Sequence, residues 1–249
     1  MRLSMDDKFI REIRIRKDEI AEDSYLQEIP AVRSMDVLRF QKPVTFFVGE
    51  NGSGKSTLLE GIAVAYGFNP EGGTRNFNFS TNDTHSELGR SLFVLKGIKR
   101  PWDEFFLRAE SFYNVATQID EYERERSGYL KYYGGKSLHQ QSHGESFLSL
   151  VQNRFSANGL YILDEPEAAL SPQRQLTLLL LIHELVKKGS QFIIATHSPI
   201  LLGIPDAQIF SLDNDMFREI QYEEAECYQV MKIFINEKEG FLKQLLQEE

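Results

Sequence analysis

One short segment restricts the fold of this 249-residue chain more than any other. Residues 44–49 (VTFFVG) are apolar and rich in β-branched and aromatic side chains, which predicts a strand buried on both faces of a sheet. A glycine-rich turn follows directly, and residues 55–67 (KSTLLEGIAVAYG) then place apolar side chains at helical spacing. The order of buried strand, glycine-rich turn and helix is typical of a phosphate-binding loop in an α/β protein.

The turn itself has the spacing G-x-x-x-x-G-K-[ST], from Gly49 to Ser56. Bare backbone lets consecutive N–H groups surround a phosphate, and the helix N-terminus adds partial positive charge. The pattern predicts that Lys55 reaches the β and γ phosphates and that the Ser56 hydroxyl binds Mg²⁺. A glycine turn that binds nothing is the alternative. The residues expected to contact the nucleotide are Glu50, Asn51, Gly52, Ser53, Gly54, Lys55, Ser56 and Thr57.

The composition excludes several classes of protein. The densest apolar stretch, residues 176–186, is interrupted by His183 and Glu184, and no run of about 18 apolar residues suggests a membrane span. The first 17 residues carry charge throughout and lack the apolar centre of a signal peptide. The single cysteine, Cys227, cannot build a disulfide framework or a thiolate metal cluster. We therefore expect a soluble protein of the reducing cytoplasm.

The net charge of -9 argues against a surface that binds polyanions over its whole extent. A local basic patch is compatible with this charge, so DNA stays a candidate partner. Exposed residues in salt bridges explain the same basic side chains equally well. The candidate DNA contacts are Arg11, Arg14, Arg16, Lys96, Lys99 and Arg100.

Strands and helices alternate along much of the chain, which indicates βαβ units and a parallel sheet. Residues 9–16 alternate apolar and charged side chains, as in a strand with one solvated face. Residues 69–91 are rich in Asn, Gly, Thr and Ser and predict a mobile loop or an irregular excursion. Further strands are predicted at 104–110, 160–165, 191–196 and 207–213, with helices at 172–188 and near the end of the chain. We predict one domain over residues 1–249, with a small loop and helical lobe at about 69–141.

Two polar motifs follow predicted strands. Asp164 and Glu165 end the strand at 160–165, where Asp164 can hold the hydration shell of Mg²⁺ and Glu165 can activate a water as a general base. His197 follows the strand at 191–196 and can donate to the γ-phosphate. An acidic turn before a helix and a histidine used only for packing are the alternatives.

In their order along the chain, these motifs resemble those of the ATP-binding-cassette (ABC) ATPase superfamily. GENGSGKST resembles the Walker A motif, YILDEP the Walker B motif with its catalytic glutamate, EAALSP the D-loop and THSP the switch histidine. QSHGESF stands where the family has its signature motif, with Ser142, Gly144 and Glu145 recognisable in it. The resemblance covers most of the chain. It implies an α/β P-loop NTPase with a mainly parallel central sheet, an N-terminal antiparallel β subdomain and a short helical lobe.

The departures from the transporter pattern point to a branch of the superfamily. His143 occupies the first glycine position of the transporter signature, and Ser171 stands at the D-loop aspartate. The S-x-G-E form is similar to the Rad50, RecF and SMC-like heads, and DEPEAALSP with ATHSP resembles small bacterial ATPases of that branch, including those of phage defence. No long heptad insertion separates the Walker motifs, so a coiled-coil arm is not expected. Glu110 stands at the Q-loop position.

The resemblance also implies a mechanism. In the family, Ser142 and Gly144 of one subunit would face the γ-phosphate bound by a second subunit, so two ATP molecules would be held in an isologous homodimer. Hydrolysis would loosen this dimer. The cofactors implied are ATP and Mg²⁺, the catalytic residues Glu165 and His197, and the metal ligands Ser56 and Asp164.

The function expected from the resemblance is a soluble ATPase switch that acts on DNA or on a partner effector protein or nuclease. Repair, chromosome maintenance and phage defence are the processes that fit. The alternative is the nucleotide-binding subunit of an ABC transporter, although a membrane partner is not expected. A third reading is a module in which ATP only holds an assembly together.

Overall fold

The computed structural model of the protein describes residues 8–75, 87–213 and 216–246. The strands of these residues are β1 Ile10–Ile15, β2 Val37–Arg39, β3 Val44–Val48, β4 Leu92–Lys96, β5 Asp103–Arg108, β6 Gly159–Asp164, β7 Gln191–Ala195, β8 Gln208–Ser211 and β9 Arg218–Ile220. The α-helices are α1 Pro30–Ser34, α2 Lys55–Tyr66, α3 Leu88–Ser91, α4 Phe112–Glu125, α5 His143–Arg154, α6 Pro172–Lys187, α7 Pro199–Leu202, α8 Glu226–Asn236 and α9 Lys238–Leu246. None of the helices in these ranges has both the length and the apolar character needed to cross a bilayer.

The larger sheet has the strand order β5-β6-β7-β3-β8-β9. Its first five strands are parallel to their neighbours, and β9 pairs antiparallel with β8 at the edge. Every residue of β3, β6 and β7 is buried, which confirms the burial predicted for β3 from its apolar sequence. Because the strands are parallel, the carboxyl ends of β3, β6, β7 and β8 lie along one edge of the sheet.

The smaller sheet is antiparallel, with the order β2-β1-β4. Ile13 and Ile15 of β1 are buried and Arg14 is exposed, but Glu12, on the same face as Arg14, is also buried, so the predicted solvated face is confirmed only in part. The buried Gln191 side chain, at the start of β7, accepts hydrogen bonds from the Phe9 and Ile10 amides at 2.9 and 3.0 Å. This side chain therefore ties the small sheet to the central one.

Two apolar layers cover the faces of the central sheet. Successive residues of a strand point to opposite faces, so Phe46 packs into one layer and Phe47 into the other. The first layer contains the apolar side chains of α4, α5 and α6. The second contains those of α1, α2 and the small sheet. Both faces are thus shielded, and the edge formed by the strand ends is where polar loops gather.

The prediction of a mobile loop or an irregular excursion at 69–91 is wrong at the end of this segment. Helix α3 occupies the last four of these residues, and Leu88 is fully buried. A Cβ atom on Gly89 would lie 2.7 Å from a methyl group of Val64, so α3 packs closely on α2. This packing on α2 is a tertiary contact, which the polar local composition does not show. Residues 76–86 of the predicted loop lie outside the described residues.

Three short strands were not predicted, namely β2, β4 and β9. Two of them have three residues each, too few for a period to show in the sequence. In β4, apolar residues occur at consecutive positions, and pairing with β1 decides the conformation. The strand predicted at 104–110 ends at Arg108, so Glu110 lies in the turn that follows.

The basic residues proposed to contact DNA mostly have partners in the protein. Arg14 pairs with Glu12 at 2.6 Å, and Arg16 pairs with Glu19. Lys96 donates to the Tyr66 carbonyl at 2.9 Å and lies over the Tyr66 ring. These contacts favour the alternative interpretation of a salt-bridged surface.

Candidate active site

The phosphate loop leaves β3 and enters α2 at Lys55. Gly52 and Gly54 have φ angles of 83° and 92°, a left-handed conformation that glycine adopts without strain. A Cβ atom on Gly54 would lie 2.5 Å from a methyl carbon of Ile29, so a larger residue has no room there. Bare backbone is therefore required by the fold as well as by the motif. The loop is exposed at Glu50, Asn51 and Gly52 and half-buried at Ser53, Gly54, Ser56 and Thr57.

Lys55 is buried at the base of this loop. Its Nζ donates to the carbonyl oxygens of Gly49 and Glu50, at 2.8 Å each. Burial lowers the pKa of Lys55, while the carboxylates of Glu165 and Asp213 oppose this effect. The ammonium group thus lies near several carboxylates and is held by two backbone carbonyls at the base of the loop.

Ser56 and Asp164 meet at the ends of α2 and β6. The Ser56 Oγ donates to Asp164 Oδ1 at 2.9 Å. Burial raises the pKa of Asp164 to about 6, and the nearby Arg108 guanidinium opposes the shift. Hard oxygen donors of this kind fit Mg²⁺, which commonly binds one or two protein oxygens together with water and phosphate. Within the described residues, no cluster of three or more His, Cys, Asp or Glu side chains is suited to a metal ion.

Arg108 is a site residue that the sequence did not reveal. It ends β5 and stands opposite Asp164 in the parallel pairing with β6, with its Nε 3.6 Å from Asp164 Oδ2. The same guanidinium donates to Glu60 Oε2 at 2.8 Å. The side chain of Glu110, expected at the Q-loop position, is 86% exposed and lies 3.5 Å from Arg108. Arg108 therefore balances the charge of several carboxylates beside the expected metal site.

Glu165 and His197 face one another across the ends of β6 and β7. The His197 Nε2 lies 3.6 Å from Glu165 Oε1. Glu165 has a φ angle of 49°, which is unusual for a residue with a side chain, and its N–H donates to the Ala195 carbonyl at 2.9 Å. A carboxylate and an imidazole in this arrangement can activate a water molecule and donate to a developing charge.

Two further carboxylates at the sheet edge were missed. Glu167 Oε1 accepts the His197 N–H at 2.6 Å. Asp213 Oδ1 accepts the Glu50 N–H at 2.7 Å, while the Ser211 hydroxyl donates to its other oxygen. Asp213 was the last residue of a predicted strand, and its position at the common sheet edge was the available signal. Residues 49–51 of the phosphate loop, His197 and Asp213 line a cleft of about 610 Å³, and residues of α8 line it as well.

The signature residues Ser142, Gly144 and Glu145 lie at the start of α5. Ser142 and Glu145 form a capping box, in which the Ser142 N–H donates to Glu145 Oε2 at 3.1 Å, and the Ser142 hydroxyl also donates to this oxygen at 2.6 Å. This hydroxyl lowers the pKa of Glu145. Arg174 of α6 contacts Glu145 Oε1 at 3.3 Å, and a Cβ atom on Gly144 would lie 2.6 Å from the Ala169 carbonyl oxygen. Within the described part of the chain, these three residues make no hydrogen bond to the phosphate loop.

The chain is similar to known proteins in sequence and in fold. Residues 26–184 match the family model described as AAA domain. Over 189 residues the chain is 24% identical to the xylose import ATP-binding protein XylG of Moorella thermoacetica, covering 69% of this chain and 38% of that protein. A nucleotide-free ATP-binding cassette from an ABC transporter superposes with a TM-score of 0.51 at 17% identity, covering 93% of this chain and 96% of that one. The SMC head domain from Thermotoga maritima superposes with a TM-score of 0.41 at 16% identity, covering 74% of this chain and 92% of that one.

The superposition on the transporter cassette shows that the two proteins share a fold, and it confirms the α/β architecture expected of an ABC ATPase head. This chain spans little more than a third of the XylG protein, so the transport activity in that protein's name does not follow. The match to the family model extends over well over half of the 249 residues and includes the phosphate loop, the signature residues and the acidic turn after β6. The chain therefore belongs to the AAA domain family.

Proposed function

We propose that this protein binds ATP with Mg²⁺ and hydrolyses it in an ATP-sandwiched homodimer. The observation that carries the proposal is the convergence of three contacts at one sheet edge. The glycine loop holds Lys55, Ser56 bonds to Asp164, and Glu165 faces His197. This combination supplies a phosphate cradle, oxygen ligands for a hard cation and an acid–base pair.

Each residue has a distinct task in the proposed reaction. The loop amides and the N-terminus of α2 bind the phosphates, and Lys55 exchanges its carbonyl partners for phosphate oxygens. Ser56 and Asp164 would hold Mg²⁺, which when bound neutralises charge on the transferred phosphoryl group. Glu165 accepts a proton from the attacking water, and His197 donates to the γ-phosphate.

A second copy of the chain would complete the site. The signature residues contact the start of α6 and the turn before it rather than the phosphate loop of their own chain. Ser142 is exposed at the N-terminus of the 12-residue helix α5, where a serine hydroxyl and the partial positive charge of the helix end favour an anion. We infer that this end of α5 covers the γ-phosphate bound by the other subunit, and that the converse contact forms by symmetry.

The biological role that we favour is a cytoplasmic switch acting on a partner effector protein or nuclease, in repair, chromosome maintenance or phage defence. His143 and Ser171 support this branch because they depart from the transporter pattern. DNA as the direct partner has less support, since Arg14 and Arg16 form ion pairs with neighbouring glutamates. The second candidate is a transporter subunit, which the transporter names of the relatives favour. ATPase assays with DNA, and with membranes that contain a candidate transport partner, separate the two roles.

The central test is the Glu165→Gln variant. Loss of the general base should block hydrolysis while ATP binding survives, so ATP and Mg²⁺ should trap this variant as a dimer. Size-exclusion chromatography with light scattering measures the mass of the wild type and the variant with and without nucleotide. A variant that binds ATP and stays a monomer would contradict the sandwich. Wild-type protein without any ATP turnover would contradict the enzymatic assignment.

A further inference from the structure

Glu167 is a shielded carboxylate to which the proposed reaction assigns no task. It lies two residues after Glu165, in the turn between β6 and α6. Its Oε1 accepts a hydrogen bond from the His197 backbone N–H, with an N···O distance of 2.6 Å. Burial raises the pKa of Glu167, and the bond from the His197 amide opposes that shift. The carboxylate thus bonds to the His197 amide across the active site and also to the Thr196 side chain.

Two hydrogen bonds of the turn after β6 involve the backbone of residues 195 and 197, at the end of β7 and just beyond it. One runs from the Glu165 N–H to the Ala195 carbonyl at 2.9 Å and uses backbone alone, so any residue at position 165 other than proline provides it. The other, from the His197 N–H to Glu167, needs a side-chain acceptor of the right length. The second bond therefore depends on the side chain at position 167. It holds the backbone of His197, whose imidazole faces Glu165.

We propose that Glu167 is a positioning residue for hydrolysis, which fixes the His197 backbone so that the imidazole stays beside Glu165. This inference rests on the proposed ATPase function. The imidazole lies 3.6 Å from the Glu165 carboxylate, and displacements of about 1 Å in such a pair can cost about a hundredfold in rate. Glu167 acts through His197 and is given no contact with ATP.

The turn that contains Glu167 has hydrogen bonds that do not involve this side chain. The Leu170 N–H donates to the Glu167 carbonyl at 2.8 Å, and the Ala168 N–H donates to the Glu165 carbonyl at 3.1 Å. Truncation at position 167 therefore leaves the path of the backbone intact. This separation allows the role of the carboxylate to be tested in a folded protein.

Three substitutions at position 167 test whether the hydrogen bond needs an acceptor, the charge of the carboxylate and the full length of the side chain. Glu167→Ala removes the acceptor, and Glu167→Asp keeps the charge but shortens its reach. Glu167→Gln keeps an oxygen at the same distance. The matched control is Glu184→Ala, on the exposed face of α6, where the glutamate pairs only with Lys187 among the contacts that the structure shows for it.

We expect Glu167→Ala and Glu167→Asp to lower kcat by about 10- to 100-fold, the range that loss of a hydrogen bond to a charged group implies. The affinity for ATP, measured by calorimetry with a non-hydrolysable analogue, should stay at the wild-type value. Glu167→Gln should recover most of the rate, and Glu184→Ala should match the wild type. Wild-type kcat in Glu167→Ala, or a loss of ATP affinity equal to the loss of kcat, overturns the positioning role.

A second measurement reports the contact without turnover. Selective ¹⁵N-histidine labelling gives one amide signal for each of the five histidines, and His197→Asn identifies the signal of His197. In Glu167→Ala this amide proton should move upfield and exchange faster with water, whereas in Glu167→Gln it should remain near its wild-type position. An unchanged signal in Glu167→Ala overturns the inference. If the contact is confirmed but the wild type does not hydrolyse ATP, the proposed function fails and not the contact.

Discussion

The phosphate loop and the start of helix α5 are both short motifs at helix N-termini, yet the protein treats them differently. The phosphate loop is surrounded by its own chain, with Asp164, Asp213 and buried Lys55 in hydrogen-bond contact with it. The α5 start bonds to itself and to α6, and Ser142 remains exposed. In the proposed dimer, the first motif has its functional neighbours within its own chain, and the second meets a nucleotide only on the other copy. Folding would then build one half of the proposed site and assembly the other half.

The largest expected effect tests the half that folding builds. Lys55→Ala should abolish measurable ATP binding, because the variant leaves no cation at the base of the loop to bind the phosphates. Within the described structure, Lys55 is the only cation within hydrogen-bond distance of the Gly49 and Glu50 carbonyls. Calorimetry measures the affinity, with Lys42→Ala as the control, since Lys42 forms an exposed ion pair with Asp206. ATP affinity close to that of the wild type would refute the role of Lys55.

The next prediction tests the half that assembly builds. Ser142→Arg should block the α5 start sterically and leave the phosphate loop intact, so this variant alone should be inactive, as should Lys55→Ala alone. A mixture of the two should regain part of the wild-type turnover, because each mixed dimer contains one site with an intact loop and an intact signature. A mixture as inactive as its components would show that the two motifs do not meet between subunits.

A smaller effect concerns the loss of stability that comes from burying the ionised Asp164 carboxylate. The pKa of Asp164 is raised from 3.8 to about 6, so its ionised form costs stability above pH 6 and the cost disappears as the pH falls below 4. Without nucleotide or Mg²⁺, Asp164→Asn should therefore stabilise the protein by about 1–3 kcal/mol at pH 7.5 and by little at pH 4. Thermal unfolding at both pH values measures this difference. Equal stabilisation at the two pH values would exclude the buried charge as its cause.

The smallest expected effect concerns backbone strain at the catalytic turn. Glu165 has a left-handed φ of 49°, which asparagine tolerates better than glutamate. Glu165→Asn should therefore be more stable than Glu165→Ala by about 1 kcal/mol, although both should lose hydrolysis. Urea unfolding compares the two variants, which lack the same carboxylate. Equal stabilities would mean that the turn is not strained.

The central sheet and the phosphate loop could be predicted because their signals are local. Continuous apolar runs specify β3, β6 and β7, and the glycine spacing specifies a turn that only a nearly bare backbone can form. The expected positions of Asp164, Glu165 and His197 at strand ends followed from those runs. The structure brings these three residues to the loop, but their roles in catalysis stay predictions.

The remainder of the site depended on which strands became neighbours. Arg108 reaches Asp164 because β5 pairs with β6 in one register, and Asp213 reaches Glu50 because β8 lies beside β3. Helix α3 forms against α2 within a segment whose composition predicts a loop. The sequence by itself determined the strand cores and the loop chemistry, through short-range patterns of burial and backbone freedom. Only the tertiary structure decided which carboxylates and cations meet, because contacts between residues far apart in the chain leave no local pattern.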